Sequence, residues 1–176
     1  MLTRLRVKNF RLLRDVTIDL DPGVTVLIGP NSAGKSTILE VLDFLARCAS
    51  GKLEDAVVAH GGMESIRTIG VREPVVIQTS WSFSTGADPA AERRRGWNLD
   101  WAFSLDRAQH GAPLVRSESL LDRINKDAPR SIVHMAPDGK RLVEADAEGE
   151  EPTEVVNPND LAFQALRDPA RYPALH

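Results

Sequence analysis

Cysteine is almost missing from this sequence. Cys48 is the only one in 176 residues, which excludes an intrachain disulfide and fits a reducing compartment. Long apolar runs are missing as well, and none approaches the roughly 18 residues that a membrane-spanning helix needs. The opening MLTRLRVKNFRLL interleaves charged and apolar residues, unlike a secretory leader. We therefore expect a cytoplasmic protein with no membrane contact. There is no surplus of positive charge: the net charge of −3 gives no global attraction to nucleic acid. Two local basic runs remain, Arg4, Arg6, Lys8, Arg11 and Arg14, and then Arg93, Arg94 and Arg95 beside Trp97. Such runs can meet phosphates and stack on a base, but they are commonly solvated strand faces or loop tips. His60, His110 and His134 lack metal-ligand spacing.

What is present is enough for one domain with a real core, since a chain of this length buries roughly 70% of its unfolded surface. Residues 2 to 8 and 16 to 20 alternate apolar with polar and read as strands, with NFRLLRD as their connection. VTVLI, residues 24 to 28, reads as a strand buried on both faces. From Lys35, the apolar residues Ile38, Leu39, Leu42, Leu45, Ala46 and Ala49 recur at three- and four-residue intervals, an amphipathic helix stopped by Gly51. The next clear segments alternate with period two: 74 to 83, 97 to 105, a weaker 113 to 121, and a hairpin of SIVHM and KRLVEA around Pro137-Asp138-Gly139. With no helices between them, they predict an antiparallel meander. Residues 144 to 154 read as an acidic exposed loop, and a helix capped near Asn159 or Asp160 follows.

Residues 29 to 36, GPNSAGKS, match G-x-x-x-x-G-K-[ST], and they stand between a predicted strand and a predicted helix, the context that makes this motif specific. A glycine-bearing turn into a helix N-terminus aims backbone N–H groups and the positive end of the helix dipole into one concavity, a phosphate cradle. Gly29 and Gly34 are expected to supply backbone angles and close approach. Lys35 would reach the terminal phosphates, the Ser36 hydroxyl would ligate magnesium, and Thr37 would add a phosphate hydrogen bond. Hydrolysis asks also for acidic residues at the end of a second hydrophobic strand. RLVEADAE is the nearest approach and is too short and polar, while RINKDAP misses the guanine-reading Asn/Thr-Lys-x-Asp spacing by one place.

LRVKNFRLLRDVTIDLDPGVTVLIGPNSAGKSTILEVLDFL resembles the N-terminal part of the RecF/SMC/OLD-like ATPases, the ABC-type group in which a strand, an Asn-Phe-Arg corner and a second strand precede the P-loop. HGGMESI and NDLAFQALRDPARYPAL are similar to segments of bacterial ATPases of this group, with less specificity. The resemblance implies an α/β P-loop NTPase half-domain, a strand-loop-helix Walker A unit with an antiparallel β lobe. Residues 1 to 52 would form the P-loop unit, 53 to 157 the β lobe and 158 to 176 the start of a helical segment, with the C-terminal half of the head missing. It implies that Arg11 approaches the nucleotide phosphates, that Asn31, Ser32 and Ala33 belong to the binding loop, and that Gln164, or failing it Gln78, is the magnesium-ligating glutamine. Ser32 stands where many relatives carry a further glycine, a departure we expect to be mild.

The implied cofactors are ATP and Mg2+. The implied activity is ATP hydrolysis once the missing signature and acidic segments complete the head, in DNA repair or anti-phage defence. The partners implied are a second copy or a second ATPase chain, head to head, with DNA and a nuclease as further possibilities. Two other classes stay open: a nonenzymatic nucleotide-dependent interaction module, and a small-molecule kinase, which would show parallel strands alternating with helices.

Overall fold

A computed structural model describes residues 1–83, 97–123, 130–135, 140–143, 153–154 and 160–162. Eight strands lie within them: β1 (Leu2–Phe10), β2 (Leu13–Asp19), β3 (Val75–Phe83), β4 (Trp97–Arg107), β5 (Pro113–Asp122), β6 (Arg130–Met135), β7 (Arg141–Val143) and β8 (Thr153–Glu154). They form one antiparallel sheet in the order β2-β1-β3-β4-β5-β6-β7-β8. The meander expected from the period-two segments is therefore present, and β1 pairs directly with β3, joining the front of the chain to it. Three helices, α1 (Lys35–Ser50), α2 (Leu53–Ala59) and α3 (Met63–Ile66), fall between β2 and β3. The last two were not singled out by periodicity, because seven and four residues are too few turns to display one.

Alternation decides which sheet face is dry. Leu5 and Val7 of β1, Ile77 of β3 and Trp101, Phe103 and Leu105 of β4 point to the core, while Arg4 and Gln78 are exposed on the other face. The core face carries α1, whose buried residues are Thr37, Val41, Phe44, Leu45 and Cys48. The helix has the expected bounds, but its buried stripe is rotated from the expected one: Leu39 is 63% exposed and Ala46 is exposed. Phe44 selects the face, since its ring meets Phe10 and His60 edge-on at centroid distances of 5.8 and 5.3 Å.

Two sequence expectations are corrected. The connection between the first strands is shorter than NFRLLRD: Asn9 and Phe10 belong to β1 and Leu13 to Asp15 belong to β2, leaving Arg11 and Leu12 to make the turn. Asn9 and Arg11 take the left-handed conformation, with φ of 59° and 48°, which lets the strands reverse so tightly. The segment 24 to 28 is not a doubly buried strand. It pairs with no described strand, and Val24, Val26 and Ile28 are 89%, 70% and 91% exposed. A strand is made by its neighbours, and no described strand of the sheet takes this segment as a partner. The Pro137-Asp138-Gly139 turn, Arg93 to Arg95, most of the acidic loop and, of the helix expected after Asn159, everything past Ala162, Gln164 included, lie outside the described residues.

Candidate nucleotide-binding site

The loop from Gly29 to Gly34 enters α1 at a position that only glycine fits. Gly34 is the residue before the helix, at φ 89° and ψ 7°, and a Cβ there would stand 2.9 Å from Cδ2 of Leu13. Gly29 differs. It does not take a positive φ, and its Cβ would meet only the Cβ of Ala33, at 3.6 Å, so the expectation that it supplies a special backbone angle is corrected. Apart from its chain neighbours, no other described atom lies within 4 Å of that position. Ser32 is left-handed at φ 64°, so the serine sits where glycine is favoured and costs more than the mild departure expected of it.

α1 begins without a side-chain cap and without an acidic residue in its first turn. The first N–H groups of a helix have no intrahelical partner, and here no acidic side chain of the first turn competes for them. The Lys35 ammonium turns back over the loop and donates to the carbonyls of Gly29 and Pro30 at 2.8 and 2.7 Å, leaving a third proton for a ligand. Ser36 is exposed and Thr37 is buried, so the hydroxyl expected at magnesium is accessible at the helix mouth. Asn31, Ser32 and Ala33 are exposed along the loop rim. This donor set fits a magnesium-bound polyphosphate: uncapped amides, an ammonium and a hydroxyl, with no carboxylate in the helix's first turn.

Beside the helix start, Arg11, Arg14, Thr37, Glu40 and Thr68 line an open cleft of about 770 Å³. Arg11 is held from several sides. Its backbone N–H donates to Ile66 O at 2.7 Å, Nη2 donates to His60 O at 3.0 Å, and Nη1 lies 2.8 Å from the Glu40 carboxylate. Its Nε is buried with no partner among the described residues. Arg11 and Thr37 are thus brought to one cleft. Gln78 is not: it is exposed on the outer sheet face, opposite Arg6 and Ala102. That face holds Arg4, Arg6 and Lys8 of the N-terminal basic run as well, matched by acids: Arg4 pairs with Asp19, and Arg6 and Lys8 with Asp15, whose carboxyl these hydrogen bonds hold below its usual range.

Sequence reasoning missed Glu40 and the carbonyl of His60. Glu40 carries a usable signal, a charge four residues after Ser36 on a helix face shared with Thr37. The carbonyl carries none. Cys48 is fully buried, and burial, with the Glu118 charge nearby, pushes its thiol up to about 12, which removes it from nucleophilic chemistry. No group of three metal-ligating side chains occurs among the described residues, and no described helix is long and apolar enough to cross a membrane.

Comparison with known proteins places this chain in a family. Residues 1–93 match the AAA ATPase domain. The chain is 53% identical over 45 residues to an OLD nuclease of Thermus scotoductus, which covers 26% of the chain and 8% of that protein. It is 38% identical over 61 residues to the DNA repair protein RecN of Xylella fastidiosa, covering 35% of the chain and 10% of the relative. It is 33% identical over 147 residues to the DNA replication and repair protein RecF of Nitrosococcus oceani, covering 77% of the chain and 39% of the relative. The matches therefore span well under half the length of these curated relatives. The chain belongs to the AAA ATPase domain family, within the ABC-type P-loop ATPases of the RecF, RecN and OLD group.

Proposed function

We propose that this chain is the nucleotide-binding front of a RecF/OLD-like ATPase head, which takes ATP with Mg2+ in the loop from Gly29 to Thr37 and acts in DNA repair or in defence against foreign DNA. The observation that carries the reading is Gly34. Its left-handed backbone and its contact with Leu13 set the loop against an uncapped helix start beside the Lys35 ammonium. In this reading the amides of Lys35, Ser36 and Thr37 receive the phosphates, Asn31, Ser32 and Ala33 wall the loop, and Arg11 approaches along the shared cleft. Ser36, and further along the chain Gln164, would hold the magnesium ion, which when bound neutralises phosphate charge. The exposed apolar side chains of Val24, Val26 and Ile28 support the half-head reading, because strands of a complete head would cover them. Pairing head to head with a second copy, and contact with DNA, belong to the same proposal.

Titration calorimetry with ATP and magnesium tests it. Lys35→Ala removes the ammonium and should weaken binding by about 1.5–3 kcal/mol, the range for hydrogen bonds to charged groups. Equal affinity in wild type and variant would remove the loop assignment. Phosphate release by this chain should not exceed that of Lys35→Ala, because no acid that orients water was found in its sequence.

A further inference from the structure

We propose that Glu40 is a positioning residue for Arg11, holding its guanidinium at the cleft before any nucleotide arrives. The inference rests on the nucleotide reading above and adds a residue to that site. Arg11 sits at the tip of the β1–β2 turn in a left-handed conformation that serves the turn, so its backbone leaves the side chain over α1. There Nη1 meets the Glu40 carboxylate at 2.8 Å while Nη2 donates to His60 O at 3.0 Å. Two acceptors, one on α1 and one just past the end of α2, define the plane of the guanidinium, which a single contact would not. Each of these nitrogens keeps a second proton, so the clamped group still has donors to offer.

Glu40 has a competing effect, since its charge offsets that of Arg11 and repels a phosphate. The geometry decides between the two. Glu40 lies five residues into α1, so a phosphate at the helix start is roughly 8 Å away along the axis, across an open cleft where water and salt screen the repulsion. A free arginine, by contrast, loses most of its rotamer freedom on meeting a phosphate, and the clamp has already removed much of that freedom. Positioning outweighs repulsion. Lysine at position 11 would not substitute, because one ammonium on a flexible stem cannot span Glu40 and His60 O in a fixed plane.

A double-mutant cycle read by ATP–magnesium calorimetry on the whole chain tests this, with melting curves to show that each variant is folded. Glu40→Gln keeps the helix propensity and size but loses the charge, and should weaken ATP binding about five- to tenfold, the share of arginine rotamer freedom released. In an Arg11→Ala background the same substitution should change affinity by less than about twofold. Arg11→Lys should bind nearly as weakly as Arg11→Ala, a result that does not depend on any Glu40 variant. Wild-type affinity in Glu40→Gln, tighter binding, an undiminished loss without Arg11, or a wild-type Arg11→Lys would each overturn the role of Glu40. If the wild-type chain binds no ATP, or binds it independently of Lys35, the nucleotide reading falls and takes this inference with it. Lys35-dependent binding without the coupling removes only the inference.

Discussion

Gly34→Ala should destabilise the protein even with no ligand present. The residue holds φ 89°, where an alanine pays a steric penalty of about 1–2 kcal/mol. The new methyl also stands 2.9 Å from Cδ2 of Leu13, a side chain only 3% exposed, so the leucine cannot swing into open space. Overpacking of this kind costs about 1–3 kcal/mol, and the lower entropy of the unfolded alanine chain returns about 0.4–1 kcal/mol. The sum is a loss of about 2–4 kcal/mol, or a fall in melting temperature of roughly 5–15 °C for a domain of this size. Gly29→Ala is the control, since its Cβ makes only an ordinary contact of 3.6 Å with Ala33. It should change stability by less than about 0.5 kcal/mol and yet weaken ATP binding, because there the constraint is the approach of phosphate to the backbone. Circular-dichroism melts of both variants decide it. Equal melting of Gly34→Ala and wild type, or equal damage from the two substitutions, would refute the reasoning.

Three further outcomes follow from buried and paired groups. Glu118 is 1% exposed and accepts from Trp101 Nε1 at 3.1 Å and from the Ala162 N–H at 2.7 Å, one on each oxygen; Glu118→Gln offers one acceptor fewer and should cost about 1–3 kcal/mol, seen as a shifted Trp101 indole resonance, and an unmoved resonance would count against it. For Asp106, burial pulls the pKa up, but the Arg107 N–H and the Arg67 and Arg116 guanidiniums outweigh it and hold the carboxyl below its usual range. Its stabilisation is thus complete above about pH 4 and is lost as pH falls through the lowered value, so Asp106→Asn should lower stability by about 1–2 kcal/mol at pH 7 and by progressively less in acid; a gap constant down to pH 2 would contradict this. Cys48, its thiol raised to about 12, should resist iodoacetamide at pH 8 in the native protein and react once denatured, and equal rates in the two states would show that it is not buried.

The P-loop, its helix and the antiparallel strands were legible because each rests on local chemistry: a fixed spacing of glycine, lysine and serine, or a periodicity of 3.6 or 2. The sequence by itself determined that 35 to 50 is helical and that 74 to 83 and 97 to 105 are strands with one dry face, which the structure bounds at 75 to 83 and 97 to 107. It did not determine which helix face is dry, since several stripes of α1 are apolar and Phe44 settled the matter by meeting Phe10 and His60. Nor did it determine the state of 24 to 28, whose valines and isoleucine suit a buried strand but whose strand character depends on neighbours that the described sheet does not supply. Within the site, the motif marked Gly34 and Lys35, while only the fold showed that Gly34 is held by Leu13 and that Gly29 has only an ordinary contact with Ala33 among the described residues. Arg11 was marked by its corner, yet its clamp joins residues separated by 29 and 49 positions in the chain, Glu40 and His60. A backbone carbonyl has no side-chain identity to read, and a carboxylate on a helix gains a partner only when the turn from β1 to β2 is folded onto it. Such pairings are made by the tertiary structure, because they depend on where distant segments meet and not on what either segment prefers alone.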